Sequence, residues 1–234
     1  MPPAISITAE EWSALRLSAW VALWSVLISL VPGVLCGWLL ARCRFPGKAF
    51  FDALVHLPLV VPPVVTGYLL LLTLGRNGPI GGWLHDAFGI DIAFTQTAAV
   101  LAAAVMGFPL LVRAVRLGVE LVDGRLEQAA RTLGAGSLRI FLTITLPLAM
   151  PGILTGCVLA FARSLGEFGA TITFAGNIEG QTRTIPLALF TYTQTPGGDA
   201  AAARLLVISI VLSFAALLAS ETLARRVSRR LGHH

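Results

Sequence analysis

Apolar positions along this chain come in long charge-free runs, not in the alternating or three-and-four patterns of half-buried elements. Leu17–Ala41, Ala53–Gly75, Ile92–Val112 and Ile140–Ala162 contain no Asp, Glu, Lys or Arg. A fifth run, Ala200–Leu223, is interrupted only by Arg204 and Glu221, both near its ends, where long side chains reach the interface. About 20 apolar residues rising 1.5 Å each cross a hydrocarbon layer of roughly 30 Å. The pattern therefore predicts five transmembrane helices at about 17–41, 53–75, 92–112, 145–166 and 202–223. The stretch Phe168–Gln194 is broken by Glu179, Arg183 and Pro186 and is rich in Thr, Asn, Gln and Gly. It reads as a loop with a partly re-entrant start, with a sixth span as the alternative. The fold class is an all-α polytopic membrane protein, one domain over 1–234 with its core at about 13–224.

Composition agrees. Of 234 residues, 56% are hydrophobic and 12% charged, with mean hydropathy +0.82, where a soluble domain carries roughly 25% charged residues. So few charges exclude a soluble globule, and so much apolar surface excludes a disordered chain. The net charge of +5 reflects membrane orientation, and no nucleic-acid partner is expected. Arg42, Arg44 and Lys48 follow span one; Arg113, Arg116, Arg125, Arg131 and Arg139 separate spans three and four; Arg225, Arg226, Arg229 and Arg230 follow span five. Short cytoplasmic segments hold the excess of Arg and Lys, which places these inside, the N-terminus outside and the C-terminus in the cytoplasm.

No removable signal is read at the start, since a basic n-region is missing and Glu10 and Glu11 precede the first run. Cys36, Cys43 and Cys157 lack metal-type spacing and are assigned to packing, and His233 and His234 carry no weight. Pro58, Pro62 and Pro63 predict a kinked or interrupted second span facing protein or a cavity. Gly33-xxx-Gly37 and Gly152-xxx-Gly156 permit close helix contact.

Segment 113–144 is too regular for a simple connector. Val119, Val122, Leu126, Ala129, Ala130 and Leu133 recur at spacings of three and four, predicting one apolar stripe on a short helix. Glu127 precedes Arg131 by four, the favourable direction for a helical ion pair. Gly134 suits the helix end and Ser137 the N-cap of a second short helix. The result is a helix-turn-helix knob on the cytoplasmic side.

Gln128-Ala129-Ala130, Gly134 after three residues, Ile144 after nine more, then Leu146-Pro147 resembles the E-A-A-x3-G-x9-I-x-L-P loop of binding-protein-dependent ABC importer permeases. Gln128 stands where the pattern has Glu, with Glu127 one position earlier. Ala162–Gly169, reading A-R-S-L-G-E-F-G, is similar to molybdate and sulfate permeases. Ala170–Phe174, Gln181–Pro186 and Gln194–Gly198 resemble the molybdate branch.

This resemblance implies a type I ABC importer permease fold, in which Glu127, Gln128, Ala129, Ala130, Arg131, Gly134, Ile144, Leu146 and Pro147 form the loop that docks on the ATPase. It further implies a homodimer in the bacterial inner membrane, a cytoplasmic ABC ATPase dimer that uses ATP and Mg, and a periplasmic molybdate-binding protein, with tungstate a second cargo. The chain itself is then no enzyme and binds no cofactor or metal; it has no G-x-x-x-x-G-K-[ST] loop. Arg163 and Glu167, spaced i,i+4, share a helix face near the outer end of span four and are assigned to a pathway or gate. A sulfate-type permease is the close rival. An ion-coupled carrier is the distant one, because no inverted repeat is visible and acidic residues near the spans are few.

Overall fold

The computed structural model describes residues 7–230; the terminal His233 and His234 lie outside them, as do the side chains of Arg225, Arg226, Arg229 and Arg230. Among the described residues every regular element is helical. The first helix, α1 (Ala9–Arg42), starts earlier than its charge-free run because Thr8 and Glu11 form a reciprocal capping box. Glu11 is thereby inside the helix and fully buried. The second predicted span is two helices, α2 (Lys48–Val60) and α3 (Pro63–Leu74), bent by 112° at the break. Pro62 disfavours helical backbone at Val61, and Pro63 begins the new helix where its missing N–H costs nothing.

After α3 comes α4 (Pro79–Phe88), a helix absent from the sequence reading. The next helix, α5 (Gln96–Glu120), runs well past the predicted end at Val112. It tolerates Arg116 because that side chain pairs with Asp52 at 2.9 Å and Glu120 at 2.8 Å. The loop region holds α6 (Gly124–Thr132) and α7 (Ser137–Ile140), followed by a π-helical turn, Phe141–Thr145, that leads into α8 (Leu146–Leu165). Within Phe168–Gln194 lie two short helices, α9 (Gly169–Phe174) and α10 (Ile185–Gln194). The last helix is α11 (Asp199–Arg230).

The centre of the bundle is α5. Leu17 and Val21 of α1 pack on Ala99, Ala103 and Met106 of α5, with Phe174 of α9 completing that cluster. Further along, Leu111, Val115 and Val119 of α5 meet Val26 of α1 and Ala149, Ile153 and Ala160 of α8. Small residues set the spacing. A Cβ on Gly33 would stand 2.6 Å from Leu111, and one on Gly152 would stand 2.7 Å from the Cα of Gly118, so α5 and α8 touch backbone to backbone.

Three helical stretches, Ala9–Arg42, Gln96–Glu120 and Ser137–Leu165, are long and apolar enough to cross a membrane, and the bent α2–α3 pair makes a fourth if taken as one span. Large apolar side chains face outward along α1 (Trp20, Leu23, Trp24, Leu27) and along α11 (Val207, Ile210, Val211, Phe214). Such continuous exposure suits a hydrocarbon surrounding rather than water.

Candidate functional site

The predicted apolar stripe from Val119 to Leu133 does not form on one helix. Helix α5 ends at Glu120, so Val119 and Val122 are buried in the bundle, while α6 begins afresh at Gly124. Asp123 caps it, its carboxylate accepting from the N–H of Arg125 at 2.9 Å. The other end closes with Gly134 at φ +84°: its N–H donates to the Arg131 carbonyl and that of Ala135 to the Ala130 carbonyl, both at 3.0 Å. This is a Schellman closure, and it explains a glycine at 134. Helix α7 is capped by Gly136, with Ser137 its first residue, because the chain leaves the closure extended at Gly136.

No residue of α6 is buried. Gln128, Ala129 and Arg131 are exposed together with Leu126, and Leu133 and Leu138 are exposed to 88% and 72%. The helix thus sets a polar surface beside uncovered leucines at positions 126, 133 and 138. Ala130, Ile144, Leu146 and Pro147 are half-buried where the loop returns to the bundle, so the motif divides into a presented part and an anchoring part. Beside α6, a hollow of about 610 Å³ opens between α5 and α8, lined by Leu117, Leu121, Leu126, Leu148 and Pro151.

Glu127 does not form the predicted pair with Arg131. It turns back to the bundle, 3.2 Å from Arg42 Nε, and accepts from the Thr145 hydroxyl at 2.8 Å. Tertiary partners in a half-shielded site outweigh a surface i,i+4 pair worth a few tenths of a kcal/mol.

At the opposite end, Arg163 Nη1 lies 2.5 Å from Glu167 Oε2. Glu167 is 2% exposed, and its Oε1 accepts from the Ala170 N–H at 2.9 Å, so it also holds the start of α9. One turn away, the Ser25 and Ser164 hydroxyls meet at 2.8 Å between α1 and α8. Arg204 does not reach out to an interface: its guanidinium turns inward onto buried Glu11, at 2.8 and 3.1 Å. Arg183 bonds Asn177 at 3.0 Å and Glu179 at 3.2 Å. Sequence reasoning missed Arg42, Thr145 and Ser164. Only Arg42 had a signal, as the charge that ends the first apolar run. Among the described residues no group of three His, Cys, Asp or Glu is placed to hold a metal ion.

The described residues thus form a bundle of membrane-length apolar helices with one short helix, none of whose residues is buried, set between two of them. Residues 33–229 match the family of binding-protein-dependent transport system inner membrane components, and the chain belongs to that family, a multi-pass inner-membrane class. It is 62% identical over 226 residues to the molybdenum transport system permease protein ModB of Escherichia coli K12, covering 97% of this chain and 99% of that protein. Its identity to the ModB of Haemophilus influenzae is 55% over 222 residues, 95% and 97% of the two chains. Among solved structures, a bacterial ABC transporter that imports alginate superposes with a TM-score of 0.73 at 15% identity, over 94% of this chain and 81% of that one. That likeness speaks for the fold alone.

Proposed function

We propose that this chain is the membrane-spanning permease subunit of an ATP-driven importer that carries molybdate, and the similar dianion tungstate, from a periplasmic binding protein to the cytoplasm. The observation that carries the reading is full-length identity of 62% to a molybdenum transport permease, joined to an exposed α6 that buries nothing of its own. Two copies would enclose the pathway. A separate ATPase dimer, using ATP and Mg, would receive α6 through Gln128, Ala129, Arg131 and the leucines around them. The termini follow the arginine count, the first outside and the last in the cytoplasm, with α1, the α2–α3 pair, α5, α8 and α11 as five spans.

Arg163 and Glu167 would stand at the outer end of α8 and help shape the gate. Arg163 is already paired with Glu167, so the pair offers a passing dianion little free positive charge, and selectivity falls to the binding protein.

The test is molybdenum accumulation at trace external molybdate in cells lacking this chain, with and without the gene restored and with excess sulfate as competitor. Loss of uptake and its rescue, unaffected by sulfate, is the expected result. Rescued uptake that excess sulfate abolishes would reassign the cargo to sulfate, and undiminished accumulation without the gene would overturn the reading.

A further inference from the structure

Although α6 buries no side chain, it is tied to the bundle at one point. Glu127 Oε1 lies 3.2 Å from Nε of Arg42, in the last turn of α1, and 2.8 Å from the hydroxyl of Thr145, the last residue of the π turn. Arg42 Nη2 also donates to the Val122 carbonyl at 2.7 Å, where α5 gives way to α6. One carboxylate and one guanidinium thus gather α1, the end of α5, α6 and the start of α8. The cluster is shielded, with side-chain exposures of 24% for Arg42 and 13% for Glu127, and Thr145 is buried. Trp38, one turn before Arg42, packs edge-on against Phe141 with ring centroids 5.5 Å apart, so α1 meets the π turn a second time.

A presented helix passes a displacement to the bundle only through its attachments. The backbone joins α6 to its neighbours at the turn 121–123 and at the left-handed closure around Gly134, so no continuous helix runs from α6 into α5 or α8. The side-chain tie is Glu127, and it ends on a π turn, a rare conformation concentrated at functional sites. We propose that Arg42, Glu127 and Thr145 form the joint through which movement of α6 is delivered to α1 and α8 together. Arg42 and Thr145 are positioning residues, holding Glu127 in place without touching cargo or nucleotide. The inference rests on the reading of α6 as the helix that docks on the ATPase.

The test uses the complete transporter in liposomes: this chain, its ATPase and its binding protein. The quantity measured is molybdate taken up per ATP hydrolysed, which simple loss of folded protein leaves unchanged. In Glu127→Gln and Arg42→Gln the ATPase should stay bound and hydrolysis continue, while uptake per ATP falls about tenfold, the range of a moderate coupling energy. Arg42→Lys, keeping the charge and one hydrogen bond, should recover part of it, and Thr145→Val should lower it less. The double variant Arg42→Gln with Glu127→Gln should fall no further than the worse single, since both remove one interaction.

Wild-type uptake per ATP in Glu127→Gln, or full addition of the two losses in the double variant, would overturn the joint. So would release of the ATPase by Glu127→Gln, which would make Glu127 a docking residue. The underlying reading is checked separately by Gln128→Cys in a chain with Cys36, Cys43 and Cys157 replaced. Failure of that cysteine to cross-link to the ATPase would remove α6 as the docking helix, whereas cross-linking with unchanged uptake per ATP in Glu127→Gln would remove the joint alone.

Discussion

Helices α5 and α6 are separated by the short turn 121–123, yet they solve opposite problems. Along α5, Ala98, Ala99, Ala102, Ala103, Leu111, Val112 and Val115 are completely covered, and Gly107 and Gly118 let α8 approach to backbone contact. Along α6 no residue is fully buried, and one carboxylate, that of Glu127, reaches inward to Arg42. The contrast separates a helix held by packing from one that packing scarcely holds. The covered helix carries the free energy of the bundle, and the bare helix is free to be shaped by what it must touch.

Overfilling the α5–α8 contact should have the largest effect. Gly152→Leu must displace the Gly118 backbone, and overpacking against backbone should cost about 3 kcal/mol, seen as a lowered unfolding midpoint in detergent and a reduced folded yield. Gln128→Leu on α6 should move the same midpoint by less than about 0.5 kcal/mol. Equal responses would mean that α6 is part of the stabilising core.

Next in size is Arg163→Ala, which leaves the buried Glu167 carboxylate with only the Ala170 N–H. A loss of about 2 kcal/mol is expected, below the full value for a buried pair because Arg163 is partly open to its surroundings. Glu167→Gln should cost less. Unchanged uptake per folded molecule in Arg163→Ala would limit the pair to holding α9.

Gly134 closes α6 with open space around it. Any side chain there meets the left-handed backbone at a cost of about 1 kcal/mol, and no atom stands within 4 Å of a new Cβ. Gly134→Ala should therefore lose only that, with transport kept, while Gly134→Asp, no less stable, should abolish ATP-driven uptake because a charge is set on the docking surface. Normal uptake by a well-expressed Gly134→Asp would show that the closure of α6 is not docked. Smallest of all, Glu120→Ala removes a half-exposed i,i+4 partner of Arg116 and should change the unfolding midpoint by no more than about 0.5 kcal/mol.

Much of this was legible because lipid imposes a simple rule on sequence. Long charge-free runs mark α1, α5 and α8, Pro62-Pro63 marks the break between α2 and α3, and the spacing from Gln128 to Pro147 marks the presented loop. What escaped was decided by partners distant in sequence. Arg42 and Glu127 are 85 positions apart and Glu11 and Arg204 are 193 apart, so neither pairing leaves a local pattern. The extension of α5 beyond Val112 was hidden for the same reason, since Asp52 on another helix satisfies Arg116. Helix α4 escaped because its ten residues are too few to show a period.

The crossing of Gly118 and Gly152 has a mechanical meaning. Side chains absorb a push by changing rotamer, but two backbones in contact have no such slack, so α5 and α8 behave as one stiff plate with α1 fastened along it through Gly33 and Gly37. Bending is cheaper where a helix is already broken, as at proline. Such a break lies at Pro62, between α2 and α3, beyond which α3 leans on α9 through Gly67. The chain thus sets a beam, α5 with α8, apart from a crease, the 112° break between α2 and α3.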